Sequence, residues 1–88
     1  MKGNFHFKSQ DYSKAIDIYT ECLEQAVGGK VGSECVVTLF SNRAMAYIKI
    51  NEFEKAIQDC NEALALDDAH IKSYVRRAKA NFRLDNLK

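Results

Sequence analysis

The chain has 88 residues, which fits one domain, and a domain of this length buries only about 60% of its unfolded surface. Apolar residues make up 47% and charged residues 28%, which excludes an intrinsically disordered composition, and there is no proline. A net charge of +1 gives no overall pull toward nucleic acid, and no run approaches the ~18 apolar residues of a membrane span.

In chain order, the periodicity predicts a partial helix over residues 2–9 and a full helix over 11–26. Gly28, Gly29 and Gly32 then put three glycines into five residues, which breaks a helix and marks an inserted loop over 28–33. A third helix is expected over 34–50 with Ser33 as its N-cap, and a fourth over 52–66. The last helix begins after Asp67 and Asp68, either of which suits an N-cap, and runs to about residue 83.

An internal repeat ties these helices together. Tyr12, Ala15, Ile16, Tyr19 and Leu23 return as Phe53, Ala56, Ile57, Cys60 and Leu64, a shift of 41. Each set is one stripe of an amphipathic helix, opened by an acid (Asp11, Glu52) and carrying Lys14 or Lys55 two residues after the aromatic. Phe40, Arg43, Ala44, Ala46, Ile48 and Ile50 return as Tyr74, Arg77, Ala78, Ala80, Phe82 and Leu84, a shift of 34. Two helix types therefore alternate as A, B, A, B, A, with seven extra residues between the first two units. Gly3, Ala44 and Ala78 in the A helices, and Ala15 and Ala56 in the B helices, are the small residues that let helices approach closely. The expected organisation is one domain over 1–88: a partial first repeat over 1–27, the loop over 28–33, a second repeat over 34–68, and the A helix of a third over 69–88.

Charge is unevenly spread. Residues 71–88 carry six bases and one acid, whereas the first seventy residues carry seven bases and eleven acids. The last helix is thus suited to an anionic partner. Cys22, Cys35 and Cys60 form no C-x-x-C pair, and His6 and His70 lie far apart, so neither a disulfide framework nor a zinc site is indicated. Cys22 and Cys60 fall on apolar stripes and are expected to be small core residues, Cys35 to be exposed, and His6 to pack beside Phe5 and Phe7. Arg43 and Arg77, repeating in register, are expected to share a packing or ion-pair role. No nucleophile–base pair or metal constellation is present, so no enzyme activity and no cofactor are expected. A reducing, cytoplasmic setting is the simplest expectation for three unpaired cysteines.

Phe40, Ala44 and Tyr47, followed by Ala56 to Cys60, resemble the tetratricopeptide repeat, although Cys60 replaces an aromatic and Asp68 the usual proline. The resemblance implies an all-α fold of antiparallel helix pairs, a right-handed α-solenoid of about two and a half repeats that binds other proteins in its concave groove. A narrower resemblance is to co-chaperones whose groove clamps the two terminal carboxylates of the Glu-Glu-Val-Asp tail of Hsp70 or Hsp90. That family's clamp maps onto Asn4, Asn42, Lys72 and Arg76, and its fifth residue, a lysine, would lie one position before Met1. These residue types suit a pair of carboxylates. Asparagine supplies amide donors, while Lys72 and Arg76, four apart on one helix face, supply charge-assisted hydrogen bonds. Phe7, Met45, Ile48, Lys79 and Arg83 are the further groove-lining candidates. Affinity in the micromolar range and a strong salt dependence are expected.

A scaffold for some other protein complex is the alternative, and no nucleic-acid or membrane partner is expected. The last A helix has no B helix after it, so Tyr74, Ala78, Phe82 and Leu84 are expected to be partly exposed. This implies either a piece of a longer protein or self-association through the uncovered end.

Overall fold

The computed structural model describes residues 9–26 and 32–87, and within them the chain is four helices: α1 (Ser9–Ala26), α2 (Ser33–Lys49), α3 (Phe53–Leu66) and α4 (Ile71–Asn86). The fold is all-α, a sequential stack of antiparallel helix pairs in which α1 packs on α2, α2 on α3 and α3 on α4, while α2 also meets α4. The expected first helix, with Gly3, Asn4, His6 and Phe7, lies outside the described residues, as does most of the glycine-rich loop.

The stack follows from the stripes. Phe53, Ala56, Cys60, Ala63 and Leu64 of α3 are buried, spaced as one face of a helix. They close on Ala44 and Ile48 of α2 from one side and on Ala80 of α4 from the other, with Tyr47, Ile57 and Leu84 packed around this core. The fully buried Ala44, Ala56 and Ala80 are the small residues that bring the three helices together.

Between α2 and α3 the chain turns through a Schellman motif. The Glu52 N–H donates to the Tyr47 carbonyl (2.9 Å) and the Asn51 N–H to that of Ile48 (3.0 Å). Asn51 takes the left-handed conformation this motif needs (φ 65°), which asparagine tolerates better than most residues.

Several local expectations are corrected. Ser33 is the first helical residue of α2, and Gly32 is its N-cap without any side-chain capping bond. Neither Asp67 nor Asp68 caps α4. Asp67 instead accepts the Ala69 N–H (3.1 Å), spending its carboxylate on the turn, and His70 is the N-cap, its Nδ1 paired with Ser73 Oγ at 2.8 Å. The helix continues to Asn86 rather than ending near residue 83. Tyr74, Ala78 and Phe82 are exposed and Leu84 is half-buried against the core, as expected of the uncovered side of α4.

One polar cluster fastens three helices. Arg43 of α2 donates from Nε and Nη2 to the two carboxylate oxygens of Asp59 on α3, both at 2.7 Å, and from Nη1 to Thr20 Oγ1 on α1 at 2.9 Å. Its guanidinium carbon lies 5.7 Å from the Phe40 ring centre and 5.8 Å from that of Tyr47. Asp59 is only 3% exposed, so the pair is bidentate and largely dry. Hydrogen bonding to Asp59 raises the Arg43 pKa, against the opposing effect of burial.

Replacing Arg43 by Ala strands a buried carboxylate and costs about 2–3 kcal/mol, roughly half the stability of so small a domain. Thermal melts followed by circular dichroism should show the midpoint falling by ~10 °C or more, with Arg43→Lys failing to restore it because an ammonium lacks the planar fork. An unchanged midpoint for Arg43→Ala would contradict this role.

Candidate functional site: a cationic cleft between α2 and α4

The inner faces of α2 and α4 bound a cleft of about 680 Å³ lined by Met45, Ile48, Lys49, Asn51, Ile71, Lys72, Val75, Arg76, Lys79 and Arg83. Five of these side chains are cationic and none is acidic. The shift of 34 explains the arrangement. Asn42, Met45 and Lys49 of α2 are the repeat equivalents of Arg76, Lys79 and Arg83 of α4. Steps of three and four keep each set on one helix face.

Arg76 is held in place rather than free in solvent. Its Nη1 donates to Ser41 Oγ at 2.5 Å, and Nη2 approaches Met45 Sδ at 3.9 Å. Ser41 is 1% exposed, so the oxygen that orients Arg76 is itself fixed in the packing between helices. Five guanidinium N–H donors, two of them engaged here, leave three for an anion. At the far end, the Arg83 guanidinium carbon lies 5.1 Å from the Phe53 ring centre, which anchors a second cation at the cleft wall. The cleft also has an apolar component, since Ile71 and Val75 are exposed beside Lys72 and Arg76.

Lys72, Arg76, Met45, Ile48, Lys79 and Arg83 are therefore brought together as lining of one cleft. Asn42 is not among them. It lines the adjoining hollow between α1 and α2 with Asp11, Tyr12, Ala15, Tyr19 and Ala46, and Met45 borders both spaces. Asn4 and Phe7 lie outside the described residues. Sequence reasoning passed over Ser41, Lys49, Asn51, Ile71 and Val75. Ile71, Val75 and Lys79 recur every four residues beside Lys72, Arg76 and Arg83, a spacing that marks them as neighbours on the same face. Ser41 carries no comparable signal, because its role depends on which neighbouring helix it meets.

Two matches to the tetratricopeptide repeat cover residues 1–26 and 37–70. The chain belongs to the tetratricopeptide-repeat family. It is 43% identical over 84 residues to the heat shock protein sti1 homolog of Schizosaccharomyces pombe, which takes in 96% of this chain and 13% of that protein. Against the mitochondrial import receptor subunit TOM70 of Rattus norvegicus it is 37% identical over 87 residues, 99% of this chain and 14% of the receptor subunit. RNA polymerase II-associated protein 3 of Homo sapiens is 40% identical over 86 residues, 98% of this chain and 12% of its own length. The chain thus spans about one seventh or less of these relatives. It is a tetratricopeptide-repeat module for protein–protein interaction. No helix among the described residues is long and apolar enough to cross a membrane.

The cysteines separate by environment. Cys60 is fully buried, and its thiol pKa is pushed up to about 11, first by burial and then by the neighbouring Asp59 carboxylate, with Arg76 and Arg77 pulling the other way. Cys35 is exposed, as expected, but so is Cys22, whose placement in the core is corrected. Cys22 lines an open hollow between α1 and α2 with Cys35, Thr38 and Leu39.

Two thiols should therefore react with a disulfide reagent at neutral pH, and the third only on unfolding. Because the unfolded Cys60 thiol ionises near 9.0 and the folded one near 11, the unfolded chain loses that proton first. The Cys60 contribution to stability is intact below pH ~9 and lost as pH rises toward 11, a decline that chemical denaturation should show and Cys60→Ala should remove. Three thiols reacting equally in the folded chain would refute the assignment.

Proposed function

We propose that this module binds the acidic C-terminal tail of an Hsp70- or Hsp90-type chaperone, of Glu-Glu-Val-Asp form, in the cleft between α2 and α4. The observation that carries the reading is the lining itself: five cations, no carboxylate, and Arg76 anchored on buried Ser41. A tail ending in aspartate presents two carboxylates within a few ångströms, and Lys72 and Arg76 are the charges that meet them. Asn42, the repeat equivalent of Arg76, supplies amide donors from the adjoining hollow, and Asn4 belongs to the same clamp by its match to the co-chaperone pattern. Met45, Ile48, Ile71 and Val75 offer apolar contact to the valine before the terminal aspartate, while Lys49, Lys79 and Arg83 face the glutamates upstream.

The name of the sti1 homolog, a heat shock protein, supports a chaperone setting, and a cytosolic location belongs to the same proposal. The name of the polymerase-associated protein fits the second reading, a scaffold for assembly of another protein complex without chaperone-tail binding. A free terminal carboxylate separates the two, since only the clamp requires it.

A fluorescent octapeptide ending in Glu-Glu-Val-Asp should bind in the micromolar range at low salt and weaken steeply as salt is added. The C-terminally amidated twin, or the Arg76→Ala chain with the original peptide, should bind at least tenfold more weakly, the loss of one charge-assisted contact of about 1.5–3 kcal/mol. Equal affinity for acid and amide would remove the clamp and leave the scaffold.

A further inference from the structure

Met45 stands where the cationic cleft and the hollow that holds Asn42 meet, and it borders both. Among the residues lining the cleft it alone contains sulfur. It is 39% exposed, so a small solute in the cleft can reach it. The repeat equivalent of Met45 on α4 is Lys79. One wall of the cleft therefore carries an oxidisable thioether where the other carries a charge.

Ser41 and Met45 are one turn apart on α2, and the Arg76 guanidinium meets both. Nη1 donates to Ser41 Oγ at 2.5 Å, whereas Nη2 approaches Met45 Sδ at 3.9 Å. A thioether sulfur is a weak acceptor, so Nη2 stays available to a carboxylate. Oxidation to the sulfoxide reverses this. The sulfur lone pair of Met45 attacks the terminal oxygen of a hydroperoxide, an S–O bond forms and the O–O bond breaks. The proton on the transferred oxygen passes to the leaving one, which departs as water from hydrogen peroxide or as an alcohol from an alkyl hydroperoxide. The thioether gives up two electrons and the peroxide takes them. The new oxygen stands one bond length out from a sulfur already 3.9 Å from Nη2, which brings it into reach of an N–H···O bond of about 2.9 Å.

We propose that Met45 is a reversible oxidation site through which a hydroperoxide lowers the affinity of the cleft for anions. The sulfoxide oxygen accepts from Arg76 Nη2 and withdraws that nitrogen from the paired N–H groups with which a guanidinium grips a carboxylate. With Nη1 on Ser41 and Nη2 on the sulfoxide, Arg76 lies along α2 and turns away from the ligand. The same change puts a polar group beside Ile48 and Val75, where an apolar ligand side chain would otherwise rest. Sulfoxide reductases return the thioether, so the modification can be undone. The identity of the anion rests on the chaperone-tail reading of the cleft, whereas the contact between the sulfoxide and Arg76 does not.

The test uses the chain with Cys22→Ser and Cys35→Ser, because those exposed thiols also react with peroxide. After treatment with hydrogen peroxide, mass spectrometry should find one oxygen gained at Met45. The Arg76 side-chain N–H resonances of the isotope-labelled chain should then move with no ligand present. The oxidised chain should bind the Glu-Glu-Val-Asp octapeptide at least fivefold more weakly, and a methionine sulfoxide reductase should restore both readings. In Met45→Leu neither reading should respond to peroxide. An oxygen gained at Met1 but not at Met45, Arg76 resonances indifferent to oxidation, unchanged affinity, or the same response in Met45→Leu would overturn the proposal. If the reduced chain binds no peptide, the chaperone-tail reading falls by itself. Inorganic phosphate titrated against the Arg76 resonances then decides, and equal binding by the reduced and oxidised chains overturns the proposal.

Discussion

A single guanidinium joins three helices. Arg43 leaves α2 between two aromatic rings, chelates the nearly inaccessible carboxylate of Asp59 on α3 and reaches Thr20 on α1. An 88-residue chain has little core to spend, and alanines form much of what is buried at the centre. Apolar stripes of this kind can slide one turn against each other at small cost. A bidentate charge pair in a dry site cannot, because sliding leaves both charges unpaired. Arg43 therefore fixes the rotation and height of α2, and with them the direction in which its other faces point.

That orientation is what makes the cleft. With Arg43 and Ala44 turned toward α3, Met45, Ile48 and Lys49 border the space facing α4, and Ser41 lies where it can receive Arg76. On α4 the same logic holds with Arg77 on Asn61 and Ala80 in the core, so Lys72, Val75, Arg76, Lys79 and Arg83 are delivered to the opposite wall. Among the described residues the cleft lining holds five cations and no acid. They are held side by side at an electrostatic cost that packing sustains, and an anionic partner relieves it.

Much of this was legible in the sequence because repetition supplies an internal comparison. The shifts of 41 and 34 aligned Ala15 with Ala56 and Phe40 with Tyr74, and the four helices follow their boundaries to within a few residues. The cleft cations were legible for the same reason, being spaced as one helical face. What could not be read depends on neighbours rather than periods. Cys22 and Cys60 both sit on apolar stripes, yet among the described residues α3 packs against both α2 and α4 and α1 against α2 alone, so Cys60 is buried and Cys22 is not. Ala44 and Ala78 occupy the same register, and the helix that covers one has no described counterpart over the other. Capping failed at Ser33, Asp67 and Asp68 because several polar residues compete at a helix start, and backbone geometry rather than residue type selects among them. The placement of Asn42 beside α1 is likewise a consequence of how adjacent helices rotate, which no single-helix pattern contains.

Recognition of a free C-terminal carboxylate by the α2–α4 cleft is tested most directly by a crystal structure of the chain with a peptide ending in Glu-Glu-Val-Asp. The expected complex has the terminal and side-chain carboxylates of the last aspartate within hydrogen-bonding distance of Lys72 Nζ and the Arg76 guanidinium, with Ser41 still accepting from Arg76. A peptide lying across the cleft with its C-terminus directed into solvent, or seated on another face, would contradict it.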